Sequence, residues 1–125
     1  MGEIAAYFFD SYAFFEIIGG NKNYLPFSKN VGIITTKLNL LELHHGLFKI
    51  YGKEIADKYY DQYVLFAIEI DDDIFKKASA LKAVLKKKKL SYVDCIGYIA
   101  ALSRGVKFLT GDKQFQGLEN VEFVK

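Results

Sequence analysis

The chain has 125 residues, a formal net charge of +2 and one cysteine, Cys95. This length is typical of one domain, residues 1–125, that folds without a structural metal, and a single cysteine excludes an intramolecular disulfide. Even the longest apolar runs, such as residues 63–68, are far shorter than the ~20 residues that cross a membrane. Glu3 stands where a signal peptide carries basic residues. We therefore expect a soluble cytoplasmic protein without a membrane partner, and the charge alone does not indicate nucleic-acid binding.

The N-terminal segment predicts a strand followed by a helix. Residues 5–9 form a short apolar run with aromatic side chains, which favours a buried strand. A helix over residues 12–18 follows, because Asp10 or Ser11 can cap its first turn and Gly19 can end it.

The next segment predicts a second strand and a second helix. Residues 31–35 are rich in β-branched side chains, which favours a strand. Thr35 or Thr36 then caps a helix that reaches about His45, where Gly46 interrupts or terminates it.

The middle of the chain predicts two helices and a short strand between them. Residues 53–66 have helical periodicity, and residues 67–70 form a short candidate strand. The three acids 71–73 favour the N-terminus of the next helix, where negative charge meets the positive end of the helix dipole. The apolar face of that helix carries Ile74, Ala78, Leu81 and Leu85.

The C-terminal third completes the alternation of helices and strands. Ser91 caps a helix over residues 92–104, and Gly105 stops it. Residues 106–109 and 121–124 predict two further strands. Strands that alternate with helices imply an α/β protein, a three-layer α/β/α sandwich whose parallel sheet has about five strands.

Four acidic residues lie after a predicted strand or on a helix: Asp10, Glu42, Asp94 and Asp112. Ligands of open α/β sheets bind outside the carboxyl ends of the strands, and the first and fourth strands place two of these acids on one rim. Clustered carboxylates suit Mg²⁺ or Mn²⁺, as one ion or as two ions about 4 Å apart. The pattern predicts a metal site for phosphodiester chemistry, although Asp10 or Asp94 taken singly is more typical of a helix cap than of a metal ligand.

The segments that carry these acids resemble, in order, the motifs of the PIN domain family and in particular its VapC-type ribonuclease toxins. They are DSYAFFE, TTKLNLLEL, YVDCIGYIAA and FLTGDKQF. The resemblance covers nearly the whole chain. It implies a parallel sheet flanked by helices, Mg²⁺- or Mn²⁺-dependent cleavage of RNA, and a cognate protein antitoxin. The catalytic and metal-binding residues it implies are Asp10, Glu42, Asp94 and Asp112.

Two hydroxyl residues, Ser11 and Thr110, match the small positions beside the first and last acids of the family. We expect them to support the substrate or a bound water. One departure follows Asp112, because Lys113 and Gln114 stand where many relatives carry a further acid. The departure concerns an extra ligand and leaves the four-acid core unchanged.

The densest charge run consists of Lys86, Lys87, Lys88 and Lys89. It predicts contact with the RNA backbone, or else a solvated helix end whose dipole favours cations. Other side chains have similar alternatives. The pair His44 and His45 could supply a base or a ligand, or simply lie on a helix surface. Three tyrosines could stack bases or pack in a core: Tyr59, Tyr60 and Tyr63.

Composition and helix patterning also predict protein partners. With 51% hydrophobic and 16% aromatic residues, the chain has more apolar surface than a small monomer hides, so we expect a homodimer. The first two helices would offer an antitoxin helix an apolar groove, lined by Phe14, Phe15, Leu40 and Leu43.

Two other classes of function fit parts of the pattern. A non-catalytic PIN-like module would bind RNA or protein, and four intact acids argue against it. A phosphatase of similar topology would need an acid two residues after Asp10, where Tyr12 stands, and a receiver would need paired acids closer to the first strand's end than Glu3.

Overall fold

The computed structural model of the chain describes residues 4–125 and has its helices and four of the five predicted strands in the predicted order. The strands are β1 (Ala6–Phe9), β2 (Gly32–Ile34), β3 (Lys107–Thr110) and β4 (Val121–Phe123). The helices are α1 (Ser11–Ile18), α2 (Lys37–Tyr51), α3 (Lys53–Tyr63), α4 (Asp72–Val84) and α5 (Tyr92–Ser103). Three 3₁₀ segments cover Lys22–Phe27, Val64–Phe66 and Lys113–Phe115.

The strands form one parallel sheet in the order β2-β1-β3-β4. The neighbours β1 and β3 pair in register, with Phe8 opposite Phe108. Since both strands run in the same direction, their carboxyl ends meet at the centre of one rim. This confirms that Asp10 and Asp112 follow neighbouring strands on the same rim.

Helices cover both faces of the sheet. Successive strand residues point to opposite faces, so Phe8 and Phe108 pack against α4 and α5, while Phe9 and Leu109 pack against α1, α2 and α3. This confirms the three-layer α/β/α sandwich. The core on the α5 side includes Cys95, which is fully buried.

The sheet has four strands among the described residues, where about five were expected. The candidate strand 67–70 is reduced to one parallel bridge between Thr35 and Ala67. The chain leaves a 3₁₀ segment at Phe66 and reaches the cap of α4 at Asp71. The four residues between these points leave too little extended chain to pair further along β2.

Two glycines bring helices close to their neighbours and so position the rim. Helix α2 continues through Gly46 instead of ending near it. A Cβ at that position would lie 2.3 Å from Cζ of Phe15. Its glycine admits the Phe15 ring and does not break the helix. In α5 a Cβ on Gly97 would lie 3.0 Å from the Phe8 ring, so this helix packs directly on the sheet. No helix within residues 4–125 is long and apolar enough to cross a membrane.

Candidate active site

The centre of the rim is built around Asp10, the N-cap of α1. One carboxylate oxygen, Oδ1, accepts a hydrogen bond of 2.9 Å from the backbone N–H of Ser11. The other, Oδ2, accepts a hydrogen bond of 2.7 Å from Oγ1 of Thr110 at the end of β3. Asp10 is only 3% exposed and Thr110 is fully buried. Two neutral donors therefore fix the carboxylate, and the hydroxyl of Thr110 lies behind it as a support.

A buried polar network connects this point to Glu42 on α2. The hydroxyl of Ser11 donates a hydrogen bond of 2.8 Å to Oε1 of Glu42. Asn39 donates from Nδ2 to the same hydroxyl at 3.3 Å, and Thr36 donates from Oγ1 to Oδ1 of Asn39 at 2.6 Å. Asn39 is fully buried. The network holds the N-terminus of α1 against α2 and so sets the position of Glu42.

Asn39 is a residue of this site that sequence reasoning did not select. It lies three positions before Glu42, which places both on one face of α2. An amide side chain on the same helix face as a predicted catalytic acid is the signal that could have identified it. Its amide connects the N-cap residue of α2, Thr36, to Ser11 of α1.

The other two acids cap the elements that carry them. Asp94 forms a capping box with Ser91 at the start of α5, where its Oδ2 accepts 2.9 Å from the N–H of Ser91. Asp112 accepts 3.0 Å from the N–H of Gln114, and its own N–H donates 3.1 Å to Oγ1 of Thr110. The capping alternative therefore holds for Asp10, Asp94 and Asp112 alike. Capping does not fully describe the surroundings of these carboxylates, however, because the charges of the four acids also act on one another.

Burial and mutual repulsion raise the pKa values of three of these acids, Asp10, Glu42 and Asp94. Burial raises the pKa of Asp10 to about 7, with smaller increases from the charges of Asp94 and Glu42, and the hydrogen bonds from Thr110 and Ser11 act in the opposite direction. Burial also raises the pKa of Glu42 and of Asp94. Asp112 adds to the increase at Asp94. The four acids thus form one electrostatic unit.

Residues 4–125 hold the acids apart instead of forming a three-ligand metal site. Among residues 4–125, no group of three or more histidine, cysteine, aspartate or glutamate side chains is placed to hold a metal ion. The expected convergence of Asp10, Asp94 and Asp112 on one point is therefore not reached. The physical reason is that each carboxylate turns toward a backbone N–H that it caps, and like charges favour separation.

The donor chemistry nevertheless fits a hard divalent cation. All four side chains offer carboxylate oxygens, and Mg²⁺ binds through one or two carboxylates while keeping several waters. In the described part of the chain, Oε2 of Glu42 and Oδ2 of Asp112 make no hydrogen bond. The ion pairs found there involve Asp57 and Asp73 and none of the four acids. Within residues 4–125 the buried carboxylate of Asp10 therefore has no cationic partner.

Two other candidate residues, His44 and Tyr63, contact residues outside the acidic rim. Nε2 of His44 lies 2.7 Å from Oδ1 of Asp57 on α3, and His45 is exposed on α2. Tyr63 is 8% exposed and its ring centroid lies 4.5 Å from that of Phe14. The packing alternative is therefore correct for Tyr63.

The apolar groove predicted on the first two helices is wrong, because most of the residues predicted to line it are buried. Phe14, Leu40 and Leu43 are at most 1% exposed, because they fill the core between the sheet and the helices. Phe15 packs against Gly46. A partner cannot contact buried side chains, so any apolar contact on α2 must use its outward residues, such as Leu41, which is 62% exposed.

The lysine run follows α4 and lies close to the rim. Helix α4 ends at Val84, so Lys86, Lys87, Lys88 and Lys89 occupy the loop that leads to α5. The N–H of Lys89 donates 2.9 Å to Oε1 of Gln114. Because Gln114 also donates to Asp112, the loop is connected to the acidic rim. Contact between these lysines and RNA remains a prediction.

The sequence matches the PIN domain family over residues 7–121. No curated protein has a matching sequence. Solved structures share the fold at low identity. VapC20 of Mycobacterium tuberculosis, a sarcin–ricin loop cleaving toxin, has a TM-score of 0.79 and 17% identity, over 97% of this chain and 100% of its own. VapBC2 of Rickettsia felis, bound to a promoter DNA fragment, has a TM-score of 0.72 and 18% identity, over 96% of this chain and 99% of its own. A toxin–antitoxin complex from Klebsiella pneumoniae has a TM-score of 0.71 and 19% identity, over 92% of this chain and 94% of its own.

Proposed function

The chain belongs to the PIN domain family, and on that premise we propose that it is a metal-dependent endoribonuclease and the toxin of a toxin–antitoxin pair. The observation that carries the proposal is the state of Asp10. It is a buried carboxylate whose pKa is raised to about 7 by burial and by neighbouring acids. Within residues 4–125 it has no cationic partner. A site of this kind is incomplete without a positive charge from outside the chain.

Each acid has a proposed part in that site. Asp10, Glu42, Asp94 and Asp112 would hold Mg²⁺ or Mn²⁺, directly or through water. When bound, the cation polarises a phosphodiester and lowers the pKa of an attacking water. Ser11 and Thr110 keep Glu42 and Asp10 in place through their hydroxyl hydrogen bonds. Ser11 is 7% exposed, so we expect it mainly to hold Glu42 in place and only secondarily to contact the substrate.

The proposal predicts which ends the RNA products carry. Attack by the 2′-hydroxyl of RNA needs a general base such as histidine, and His44 is engaged by Asp57 on α3. Carboxylates and a divalent cation instead favour hydrolysis by water. We therefore expect a 5′-phosphate on one product and a 3′-hydroxyl on the other.

A protein antitoxin and a second copy of the chain are the partners we propose. The structural neighbours include toxin–antitoxin complexes, which supports the first partner. An arginine from it would supply the positive charge that the acids lack. Outward apolar residues on α2 support a protein contact surface, since Phe48 and Tyr51 are 49% and 55% exposed. Light scattering that detects monomer alone at micromolar concentration would contradict the dimer.

The activity is tested with end-labelled RNA, purified protein, and Mg²⁺, Mn²⁺ or excess EDTA. We expect cleavage with either metal, no cleavage in EDTA, and products with the ends given above. Full activity in EDTA, or products ending in a 2′,3′-cyclic phosphate, would contradict the mechanism. RNA binding without cleavage under any metal condition would favour the non-catalytic binding module.

A further inference from the structure

A basic pocket lies between the C-terminal half of α4, the lysine loop and the start of α5. Its volume is about 380 Å³ and its lining consists of Ser79, Lys82, Ala83, Lys86, Lys88 and Tyr92. We call it the lysine pocket. It divides the lysine run into two pairs, because Lys86 and Lys88 line it while Lys87 and Lys89 are not among its lining residues.

One of its three ammonium groups is held in place. Nζ of Lys82 donates a hydrogen bond of 2.7 Å to the carbonyl oxygen of Leu90. The same nitrogen lies 5.0 Å from the centroid of the Tyr92 ring, a distance at which the aromatic face attracts a cation. Lys82 thus keeps a fixed direction, whereas an exposed lysine such as Lys86 can adjust to a ligand.

The aromatic wall of the lysine pocket is open. Tyr92 is 69% exposed although it belongs to an ordered helix. Within residues 4–125 its ring is absent from both apolar clusters of the core. An open aromatic ring beside several lysines is the combination that binds single-stranded nucleic acid, since a base stacks on the ring while the cations contact phosphates. Stacking distinguishes such a ligand from a simple anion, which needs only the cations.

The lysine pocket is connected to the acidic rim on two sides. Tyr92 and Asp94 belong to the first turn of α5. On the other side, Lys89 donates to Gln114, and Gln114 donates to Asp112. A single-stranded RNA bound at the acidic rim would therefore reach the lysine pocket with the nucleotides next to the scissile bond.

We propose that the lysine pocket is a subsite for an unpaired nucleotide that flanks the scissile bond. Lys82, Lys86 and Lys88 bind the phosphates on either side of it, and Tyr92 stacks on its base. The proposal rests on the proposed ribonuclease function and deepens it, because it makes the substrate single-stranded on this side of the cut. Stacking accepts any base, so the subsite adds affinity and position with little sequence preference.

The test is fluorescence anisotropy with a labelled oligouridine of about eight nucleotides, a length typical of such sites, in EDTA so that nothing is cleaved. Tyr92→Leu should weaken binding roughly 5- to 150-fold, the range for loss of one stacked base. Tyr92→Phe retains the ring and should bind like the wild type. Melting temperatures and far-ultraviolet dichroism establish that each variant is folded.

A matched pair of double variants tests the phosphate contacts. Lys86→Gln with Lys88→Gln should reduce the slope of log affinity against log salt by about 1.4, since each phosphate contact on a single strand contributes about 0.7. Lys87→Gln with Lys89→Gln removes the same charge from outside the lysine pocket and should change the slope less. Equal slopes for the two double variants would overturn the proposal.

Other outcomes separate this proposal from the proposed function. Wild-type binding by Tyr92→Leu overturns the subsite, even if the protein cleaves RNA. Oligouridine binding that depends on Tyr92 supports the subsite, even if no cleavage is found. If duplex RNA or poly-glutamate binds as tightly as oligouridine, the lysine pocket is a general anion or protein contact, and the subsite is wrong.

Discussion

Two carboxylates, Asp10 on the rim and Asp57 on α3, have opposite surroundings. Asp57 has a side chain that is 42% exposed and pairs with His44 and Lys53. Those hydrogen bonds, first from His44 and then from Lys53, lower its pKa. Asp10 is 3% exposed and accepts only from neutral donors. Its pKa is raised to about 7, chiefly by burial.

The difference shows which carboxylate the fold completes by itself. Asp57 receives positive charge from the same chain, so its ionised form is stabilised in the folded protein. Asp10 is held in place by hydroxyl and amide groups, while the nearest charges that affect its pKa belong to Asp94 and Glu42. Such an arrangement lowers stability unless a cation is added, which is typical of a site kept for function.

The two carboxylates should differ most in their effect on RNA cleavage. Asp10→Asn keeps the shape of the side chain but removes the charge and one of the two acceptor oxygens. Because a catalytic cation contributes several kcal/mol to transition-state stabilisation, we expect RNA cleavage to fall by about a thousandfold or more. Asp57→Asn is the control and should cleave within about twofold of the wild type. Wild-type rates in Asp10→Asn would contradict the assignment of this residue.

Stability should depend on pH with a sign set by Asp10. A carboxyl whose pKa is higher in the folded state binds its proton more tightly there. The folded protein is therefore favoured at low pH and loses that stability as the pH rises toward about 7. The loss is at most about 4 kcal/mol, at 1.36 kcal/mol for each pH unit. Glu42 and Asp94 add to it with the same sign.

Urea unfolding at pH 5 and pH 8 in EDTA measures this dependence. Asp10→Asn should unfold at a higher urea concentration than the wild type at pH 8, and the difference should shrink at pH 5. Asp57→Asn should not reproduce the effect, because a lowered pKa gives the opposite sign. Wild-type stability that rises steadily from pH 5 to pH 8 would contradict the prediction.

A smaller effect is expected from the support of Glu42. Ser11→Ala removes the hydroxyl that donates to Oε1 of Glu42. Loss of a group that orients a metal ligand typically lowers activity about 10- to 100-fold. The same hydroxyl accepts from the buried amide of Asn39, and leaving that donor unpaired lowers stability by about 1–3 kcal/mol. Ser28→Ala is the matched control, since its exposed hydroxyl bonds only the carbonyl of Leu25. Equal activity in the two variants would show that Glu42 needs no support.

The smallest effect belongs to the surface pair. Asp57→Asn removes the surface contacts of this carboxylate with His44 and Lys53, and solvent screening keeps the contribution of such contacts small. Its melting temperature should therefore change by no more than a few degrees, and this small change should itself shrink as salt is added. A loss larger than that of Ser11→Ala would show that α2 and α3 depend on this pair.

Local signals in the sequence predicted much of the fold. Ser91 and Asp94 form a cap within four consecutive residues, and Gly105 has the positive φ of 67° that suits a helix end. Gly46 could not be assigned in this way, because its role depends on Phe15 from another helix. The bridge at Ala67 likewise depends on where α4 begins, and a short apolar segment does not contain that information.

The candidate site likewise has features that the sequence predicts and features that it does not. The order of motifs located the four acids, and neighbouring parallel strands place Asp10 and Asp112 on one rim. Neither motif nor period predicts the direction of a carboxylate, which depends on donors from distant segments such as Thr110. The burial of Asn39 has the same origin. These contacts form only after the layers have packed.

The most direct measurement is a calorimetric titration of Mn²⁺ into metal-free wild type, Asp10→Asn and Asp57→Asn at pH 6.5. The wild type and Asp57→Asn should bind with the same affinity. Both should release protons, detected as a dependence of the heat on buffer ionisation, because a cation lowers the raised pKa of Asp10. Asp10→Asn should bind at least about tenfold more weakly. Equal binding and equal proton release in all three proteins would contradict a cation site built on Asp10.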